Sequence, residues 1–261
     1  MSDNQTSPNS RDWLLLIGGS TYKFTLTGFY LVALVAILKN HGYSLNQLSW
    51  IHLIGSIEAA KVLFAALMER RPAGRFGRFR GWLLAATLGL SAVFGLMACT
   101  DITQNFALLL TCCVLLSAMS AVYGCAMLGL SCIVLPHRER GFGGVIQTMA
   151  ARGGKMIGGA LVLWLYQEYG QTAAAGFMLA FSLLMLLQLL YYREPESPTA
   201  QGSWTALATR LVSFWQQPET GWRWLVLLFA VAVPYAFMAA TFVPKLADLG
   251  FNPKQTGGIL A

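Results

Sequence analysis

The chain has 261 residues, of which 56% are hydrophobic and 11% charged, and its mean hydropathy is +0.56. These values exclude an ordinary soluble domain, because soluble domains carry about 25% charged residues. The formal net charge of +7 comes from Lys and Arg in short segments between apolar runs, so it indicates membrane topology and not a nucleic-acid partner. The composition therefore predicts an all-α protein embedded in a lipid bilayer.

Seven apolar stretches are long enough to cross a bilayer, which takes about 20 helical residues. We place them at 13–38, 47–68, 81–99, 106–135, 144–166, 172–192 and 222–247. Lys and Arg are concentrated before the first stretch and after the second, fourth and sixth. By the positive-inside rule, this asymmetry predicts a cytoplasmic N-terminus.

The connection at 193–221 is the longest between predicted spans and is rich in Pro, Ser, Gln and Thr. Bulky apolar residues recur within it at helical spacing: Trp204, Leu207, Leu211 and Trp215. This pattern predicts an amphipathic helix on the cytoplasmic membrane surface, and a disordered linker is the alternative. We therefore divide the chain into a six-helix half at 1–192, this linker, and the start of a second half at 222–261.

A short internal repeat supports that division. Segment 38–47, which follows the first span, matches segment 246–255, which follows the seventh, at a Leu, a Gly and a Gln. Repeats of this kind are typical of transporters built from two similar halves. The seventh span is then the first span of a second half, and we expect the chain to be truncated relative to a protein of about twelve spans.

Five charged residues lie at membrane depth: Lys23, Glu58, Lys61, Arg152 and Lys155. A charge at the bilayer centre costs about 2.5–3.5 kcal/mol on insertion scales, so such residues normally face a bundle interior or a wet cavity. If their spans surround one cavity, four cations oppose one carboxylate, and the excess needs an anionic ligand or water. The alternative for Glu58 and Lys61, three residues apart, is a structural ion pair.

The fifth span contains two of these cations. Helical spacing places Thr148, Arg152 and Lys155 on one face, while Gly154 and Gly158 form an adjacent ridge of the kind that lets helices approach closely. We predict that Arg152 makes bidentate contacts to an anionic substrate and that Lys155 acts as a point charge. The alternative is that both residues only form interhelical pairs.

Further candidate substrate contacts come from other spans. Lys23, Thr27 and Tyr30 share a face of the first span, and Tyr123 either stacks on an aromatic ligand or only packs between helices. Glu58 is the only deep acid and the candidate for proton coupling. The cysteines lack a CxxC or paired His, and motifs such as HExxH and GxSxG do not occur, so we predict neither metal, cofactor nor enzymatic activity.

A candidate gating loop follows the second span. It begins with an acidic residue at a helix end and continues with glycines and arginines, namely Glu69, Arg70, Gly77, Arg78 and Arg80. This pattern resembles the loop motif G-x-x-x-D-R-x-G-R-R of the major facilitator superfamily, with Glu69 replacing Asp and Ala65 replacing the first Gly. In that superfamily the loop latches helix ends together in one of the alternating states. A basic loop that sets topology alone is the alternative.

The fifth span also resembles a superfamily pattern, G-P-x-x-G-G, at residues 154–159, with Lys155 in place of Pro. That departure argues against a drug/proton antiporter. With the KVLFAALMER and LPHRERG segments, the chain is similar to the muropeptide- and siderophore-permease branch. The resemblance implies the superfamily fold, present as the first six-helix half plus one helix of the second.

The same resemblance implies a function and a location. We expect a multi-pass permease of the bacterial inner membrane that imports an anionic metal–siderophore, such as ferric yersiniabactin, by alternating access. Zinc-metallophore uptake by the same fold is one alternative. A truncated product that is inactive in transport is another, because alternating access moves one half against the other.

Overall fold

The computed structural model of the chain describes residues 8–55, 57–58, 61–70, 77–100, 106–136, 138–195, 209, 213 and 221–250. All regular secondary structure in these ranges is helical. The predicted amphipathic helix of the linker and most of the second repeat segment lie outside the described residues. The division at 1–192, 193–221 and 222–261 therefore stays a prediction.

Eight helices follow one another in the described chain. They are α1 (Ser10–Asn40), α2 (Leu45–Gly55), α3 (Lys61–Arg70), α4 (Arg80–Cys99), α5 (Phe106–Val134), α6 (140–169), α7 (171–191) and α8 (Gly221–Asp248). Helices α6 and α7 form one run, Arg140–Tyr191, which is interrupted at Gly170 with φ 83° and ψ −176°. A positive φ is accessible to glycine because it has no Cβ atom.

The chain reverses direction at Gly170, so the run contains two membrane passes. Trp13 near the start of α1 contacts Phe142 near the start of α6, with ring centroids 6.5 Å apart. The neighbouring Asp12 accepts a hydrogen bond of 2.9 Å from Tyr192, just after α7. Both ends of the run therefore lie at the same end of α1.

The helices cover all seven predicted spans. Five runs are long and apolar enough to cross a membrane: α1, α4, α5, the α6–α7 run and Gly221–Met238 of α8. The second predicted span, 47–68, differs from expectation because it is divided between α2 and α3. Helix α2 ends at Gly55, a residue type that disfavours a helix interior.

Helix α1 starts three residues earlier than predicted, because Asn9 and Asp12 form a capping box. The Asn9 side chain accepts a backbone hydrogen bond at the first turn, and the Asp12 carboxylate accepts one of 2.8 Å from the Asn9 backbone N–H. These bonds satisfy donors that a helix start otherwise leaves unpaired.

Helix α1 is the centre of the bundle. In its most apolar window 78% of the residues are buried, compared with 44% for both α4 and α5. It contacts α5, α6 and α7. Polar groups carried by the middle of α1 are therefore enclosed by neighbouring helices.

Glycines allow α6 to lie directly on α1. A Cβ atom on Gly158 would overlap the backbone carbonyl oxygen of Thr25, and one on Gly154 would lie 2.7 Å from that of Thr21. Such close backbone approach is typical of small-residue ridges in membrane helices. The predicted packing role of this glycine ridge is therefore seen in the structure.

Each of the two helices contains a π-helical turn near this crossing, Phe29–Ala33 in α1 and Met156–Leu161 in α6. On the α1 side, a Cβ atom on Gly28 would lie 2.9 Å from the Cα atom of Lys155. Single π turns inside α-helices are frequent at functional sites. The π turn of α6 begins directly after Lys155, and that of α1 begins six residues after Lys23.

We predict that Gly158→Ala destabilises the bundle, because its methyl group meets the backbone of α1. Overpacking of this kind costs about 1–3 kcal/mol, which corresponds to a fall of roughly 3–10 °C in the unfolding midpoint. Gly153→Ala is the matched control, since no atom lies within 4 Å of its Cβ position. Thermal unfolding of both variants in detergent checks this, and equal midpoints would contradict the packing described.

Candidate functional site

A cavity of about 200 Å³ lies beside the middle of α1, where α3, α5 and α6 approach it. It is lined by Ser20, Lys23, Phe24, Thr27, Glu58, Lys61, Gly124, Met127, Leu128, Gln147 and Lys155. Four of the five charged residues predicted at membrane depth therefore meet in one place. The spacing of Lys23 and Thr27 by one helical turn puts both on the cavity side of α1.

Glu58 is the centre of the cluster, because its carboxylate accepts hydrogen bonds from three helices. Oxygen Oε1 accepts from Lys23 at 2.8 Å, from the Tyr30 hydroxyl at 2.7 Å and from Ser120 at 3.0 Å. Oxygen Oε2 accepts from Lys23 at 2.9 Å and from Lys61 at 2.9 Å. This arrangement satisfies both oxygens of a carboxylate that is largely removed from water.

The two lysines paired with Glu58 are not equivalent. Lys23 is only 8% exposed, and its ammonium group also donates to the Thr27 hydroxyl at 3.1 Å. Lys61 has 33% of its side chain exposed. Lys23 therefore fixes the carboxylate from within the bundle, whereas Lys61 presents its charge to the cavity.

Helix α6 adds a third cation to the cavity. Lys155 and Gln147 line it from α6, whereas Glu58 and Lys61 line it from the start of α3 and the residues just before it. With Lys23, the lining residues comprise three lysines and one carboxylate, an excess of two positive charges among the described residues. A group of like charges in a confined low-dielectric space attracts an anion and raises its local concentration.

Arg152 does not line this cavity, which corrects the predicted face of α6. The residue is exposed, as is Thr148, whereas Lys155 is partly buried. The reason is that Gly154 packs on α1 and so determines which side of α6 faces α1. At about 100° per residue, Lys155 lies about 100° from Gly154 around the helix, and Arg152 about 160° from it.

The two predicted tyrosines have different positions. Tyr30 reaches the cluster through its hydrogen bond to Glu58, although it is not one of the lining residues. Tyr123 is fully buried and packs edge-on against Tyr22, with ring centroids 5.2 Å apart. Its position matches the packing alternative, and Tyr123 is not among the residues that line this cavity.

Several lining residues were missed by the sequence analysis. Ser20 lies one turn before Lys23 and could have been found from the same spacing on α1. No sequence pattern singled out Gly124, but a Cβ atom at this position would lie 2.7 Å from Cε of Lys23. The lysine side chain therefore depends on this glycine for room beside α5. Ser120 had no sequence signal either, since its partner Glu58 lies 62 positions away.

The predicted gating loop is described only at its two ends. Glu69 and Arg70 end α3, but their side chains and residues 71–76 lie outside the described part. Gly77 has φ +94°, and a Cβ atom there would lie 2.5 Å from Oε2 of Glu194. Both conditions require glycine at this position. Arg78 places its guanidinium group over the Phe79 ring, 5.2 Å from the ring centroid.

Arg80 and Glu194 connect two helix ends by exchanging caps. The Glu194 carboxylate accepts from the backbone N–H groups of Phe79 at 3.0 Å and Arg80 at 2.8 Å, at the start of α4. In return, the Arg80 side chain donates to the carbonyl oxygens of Leu189 at 2.9 Å and Leu190 at 2.8 Å, at the end of α7. A carboxylate at a helix start and a cation at a helix end both complement the helix dipole.

Comparisons with known proteins agree with this architecture. A family model described as Major Facilitator Superfamily matches residues 15–261. The chain belongs to the major facilitator superfamily.

Two similar proteins are described as anhydromuropeptide permeases, one from Escherichia coli strain K12 and one from Escherichia coli O157:H7. Each is 26% identical over 254 residues, which cover 96% of this chain and 51% of the permease. The chain therefore spans about half the length of the curated relatives it matches. The family and the names of both relatives belong to membrane transport proteins, in line with the resemblance of the loop motif.

We predict that Glu58→Leu destabilises this superfamily member strongly, because it leaves Lys23 buried without its counter-charge. Removing one partner of a buried pair costs about 3–5 kcal/mol, whereas replacing both with apolar residues is often neutral. The double variant Lys23→Met with Glu58→Leu should therefore unfold at a higher temperature than Glu58→Leu alone. A double variant as unstable as the single one would show that the pair does not explain the loss.

We predict that Glu194→Ala exposes the start of α4. The amide protons of Phe79 and Arg80 lose their acceptor, so they should exchange with deuterium faster than in the unmodified protein. Glu139→Ala is the matched control, since Glu139 is also at this end of the bundle but does not bind these amides. Hydrogen exchange with mass spectrometry checks this. Unchanged exchange at both amides would contradict the capping role.

Proposed function

We propose that the protein is a secondary transporter that moves a carboxylate-bearing organic anion across the bacterial inner membrane by alternating access. The observation that carries the proposal is the cavity of a superfamily member with three lysines and one carboxylate beside the middle of α1. Three ammonium groups and one carboxylate in a confined, low-dielectric space create a positive potential, which attracts an anion. The excess fits a site that receives a negative group.

Within this site, we assign substrate contact to Lys61 and Lys155. Lys61 is partly exposed and Lys155 lines the same cavity from α6, so a carboxylate bound there would receive charge-assisted hydrogen bonds from two helices. Lys23 has a supporting role because its donors already serve Glu58 and Thr27. Arg152 and Tyr123 have no part in this assignment.

The cavity limits how much of the solute these residues hold. Its volume of about 200 Å³ is smaller than the roughly 300–1,000 Å³ of sites that enclose a drug-sized ligand. The described cavity therefore fits one charged group of the solute, and the remainder must contact other surfaces. This is consistent with a large substrate that carries a carboxylate at one end.

Two substrate classes meet that requirement. Muropeptides carry peptide carboxylates, and they are favoured by the names of the two similar permeases. Metal–siderophores with carboxylate and phenolate groups are favoured by the resemblance of the loop and fifth-span motifs. A zinc metallophore belongs to the same chemical class, and a chain inactive in transport is the outcome if a second half is required.

Orientation and coupling are part of the same proposal. Arginines are clustered at the end of the bundle where α1 begins: Arg11, Arg80, Arg138, Arg140, Arg193 and Arg223. This asymmetry supports a cytoplasmic N-terminus. Inward transport is proposed from the resemblance to permeases alone. Proton coupling through Glu58 requires that its lysine partners first move away, because they occupy both carboxylate oxygens.

We predict that Lys61→Gln and Lys155→Gln each weaken binding of the transported solute at least about tenfold, the effect expected from losing a hydrogen bond to a charged group. The protein in nanodiscs is titrated with a ferric carboxylate siderophore and with an anhydromuropeptide, and the dissociation constants are compared. Arg140→Gln is the control for loss of a positive charge outside the cavity. Cells expressing the protein then report uptake of the solute that binds.

Two results would contradict the proposal. Unchanged affinity in both lysine variants would remove the cavity as the substrate site. Binding of neither solute, with no uptake by cells that express the protein, would remove the substrate class. The variant Arg152→Gln distinguishes the sequence-based site from the structural one, since reduced affinity would place Arg152 at the substrate.

A further inference from the structure

A second and larger cleft lies at the arginine-rich end of the bundle, between the start of α1 and the end of α7. Its volume is about 620 Å³, within the roughly 300–1,000 Å³ typical of sites for small molecules. The residues that define it include Arg11 and Leu14 from α1, and Gln188, Tyr191 and Arg193 from α7 and the residues after it. It shares no lining residue with the central cavity.

The floor of this cleft is closed by a hydrogen bond between the two helices. Tyr192 donates to Oδ1 of Asp12 at 2.9 Å, and Oδ2 of Asp12 accepts from the Asn9 backbone N–H at 2.8 Å. Burial raises the pKa of Tyr192, and the hydrogen bond to Asp12 raises it further. The phenol therefore remains a donor near neutral pH, and the Asp12 carboxylate is already engaged at both oxygens.

The rim of the cleft is positively charged. Arg11 and Arg193 are both exposed, one on each side, and neither forms an ion pair within the described ranges of the chain. Asp12 also lines the cleft and accepts hydrogen bonds from Asn9 and Tyr192, so the lining carries two arginines and one carboxylate, an excess of one positive charge among the described residues. Arginine binds phosphate through paired charge-assisted hydrogen bonds, so a phosphate is the anionic group that this rim would attract.

An apolar band begins directly below the arginines, toward the middle of the membrane. Leu14 is 66% exposed and is followed on α1 by Ile17, while α7 contributes the exposed Leu187 and Leu190. Side chains of this kind at membrane depth face lipid tails. A free phosphate would use only the rim, whereas a phospholipid would cover both the rim and this band.

We propose that this cleft is a binding site for an anionic phospholipid. The phosphate lies between Arg11 and Arg193, Tyr191 and Gln188 form the headgroup wall, and the acyl chains follow the apolar band along α1 and α7. Anionic headgroups are attracted by basic residues at the cytoplasmic membrane boundary, at about fivefold in affinity for each Lys or Arg. The site is independent of the transported solute, because it lies outside the central cavity.

The test is lipid binding by native mass spectrometry on the full chain released from detergent. Phosphatidylglycerol and phosphatidylcholine are titrated against the unmodified protein, the double variant Arg11→Gln with Arg193→Gln, and the double variant Arg138→Gln with Arg140→Gln. The second double variant removes the same charge at the same end of the bundle but outside the cleft. Thermal unfolding verifies that all three proteins are folded.

We expect the unmodified protein to prefer phosphatidylglycerol, and the cleft variant to lose about 25-fold in affinity for it, from two cations of about fivefold each. The control variant should keep most of its affinity, and millimolar glycerol phosphate should not displace the lipid. Equal losses in both double variants would overturn the proposal in favour of general surface charge. Displacement by glycerol phosphate, or an unchanged affinity in the cleft variant, would overturn it as well. Dimerisation of the chain through this face, with no lipid bound there, would also overturn the proposal.

Discussion

The structure depends on the carboxylate of Glu58, which is the one negative charge among the deep residues that line the central cavity. It bonds to Lys23 and Tyr30 on α1, to Lys61 at the start of α3 and to Ser120 on α5. In a low-dielectric bundle each of these groups would be unfavourable without a partner. The carboxylate therefore fixes three helices relative to one another and holds two lysines in one place. The cavity is positively charged overall, because three lysines line it together with this one carboxylate.

The glycine ridge of α6 determines which cations reach that cavity. Gly154 and Gly158 contact the backbone of α1, so the rotation of α6 about its own axis is fixed. Once that rotation is fixed, Lys155 lies at the edge of the contact and Arg152 lies on the far side. Lysine in place of the proline of the superfamily pattern is therefore a change in the chemistry of the site, because this position adds a charge to the cavity wall.

Hydropathy predicted the class of protein and the seven spans, because a bilayer requires long apolar helices whatever their partners. Periodicity also placed Lys23 and Thr27 on one face of α1. It failed for Arg152, because helical spacing gives the relative direction of residues on one helix but not the direction of that face in the bundle. It also missed the caps exchanged by Arg80 and Glu194, whose partners lie 109 to 115 positions apart in sequence. Such contacts depend on which helix ends meet, and that is a property of the packed bundle.

The charge excess also connects substrate binding with helix movement under the proposed function. A solute carboxylate that binds Lys61 competes with Oε2 of Glu58 for the same ammonium group. Each exchange would free Oε2 of Glu58 from Lys61, while Lys23 keeps Glu58 attached to α1 and Ser120 keeps it attached to α5. A ligand changes a conformational equilibrium only through contacts that differ between the two states, and this exchange is such a contact. Lys61 therefore links the binding of an anion to a change in the hydrogen bonds of Glu58. Lys23 differs because its ammonium group stays bonded to Glu58 and Thr27.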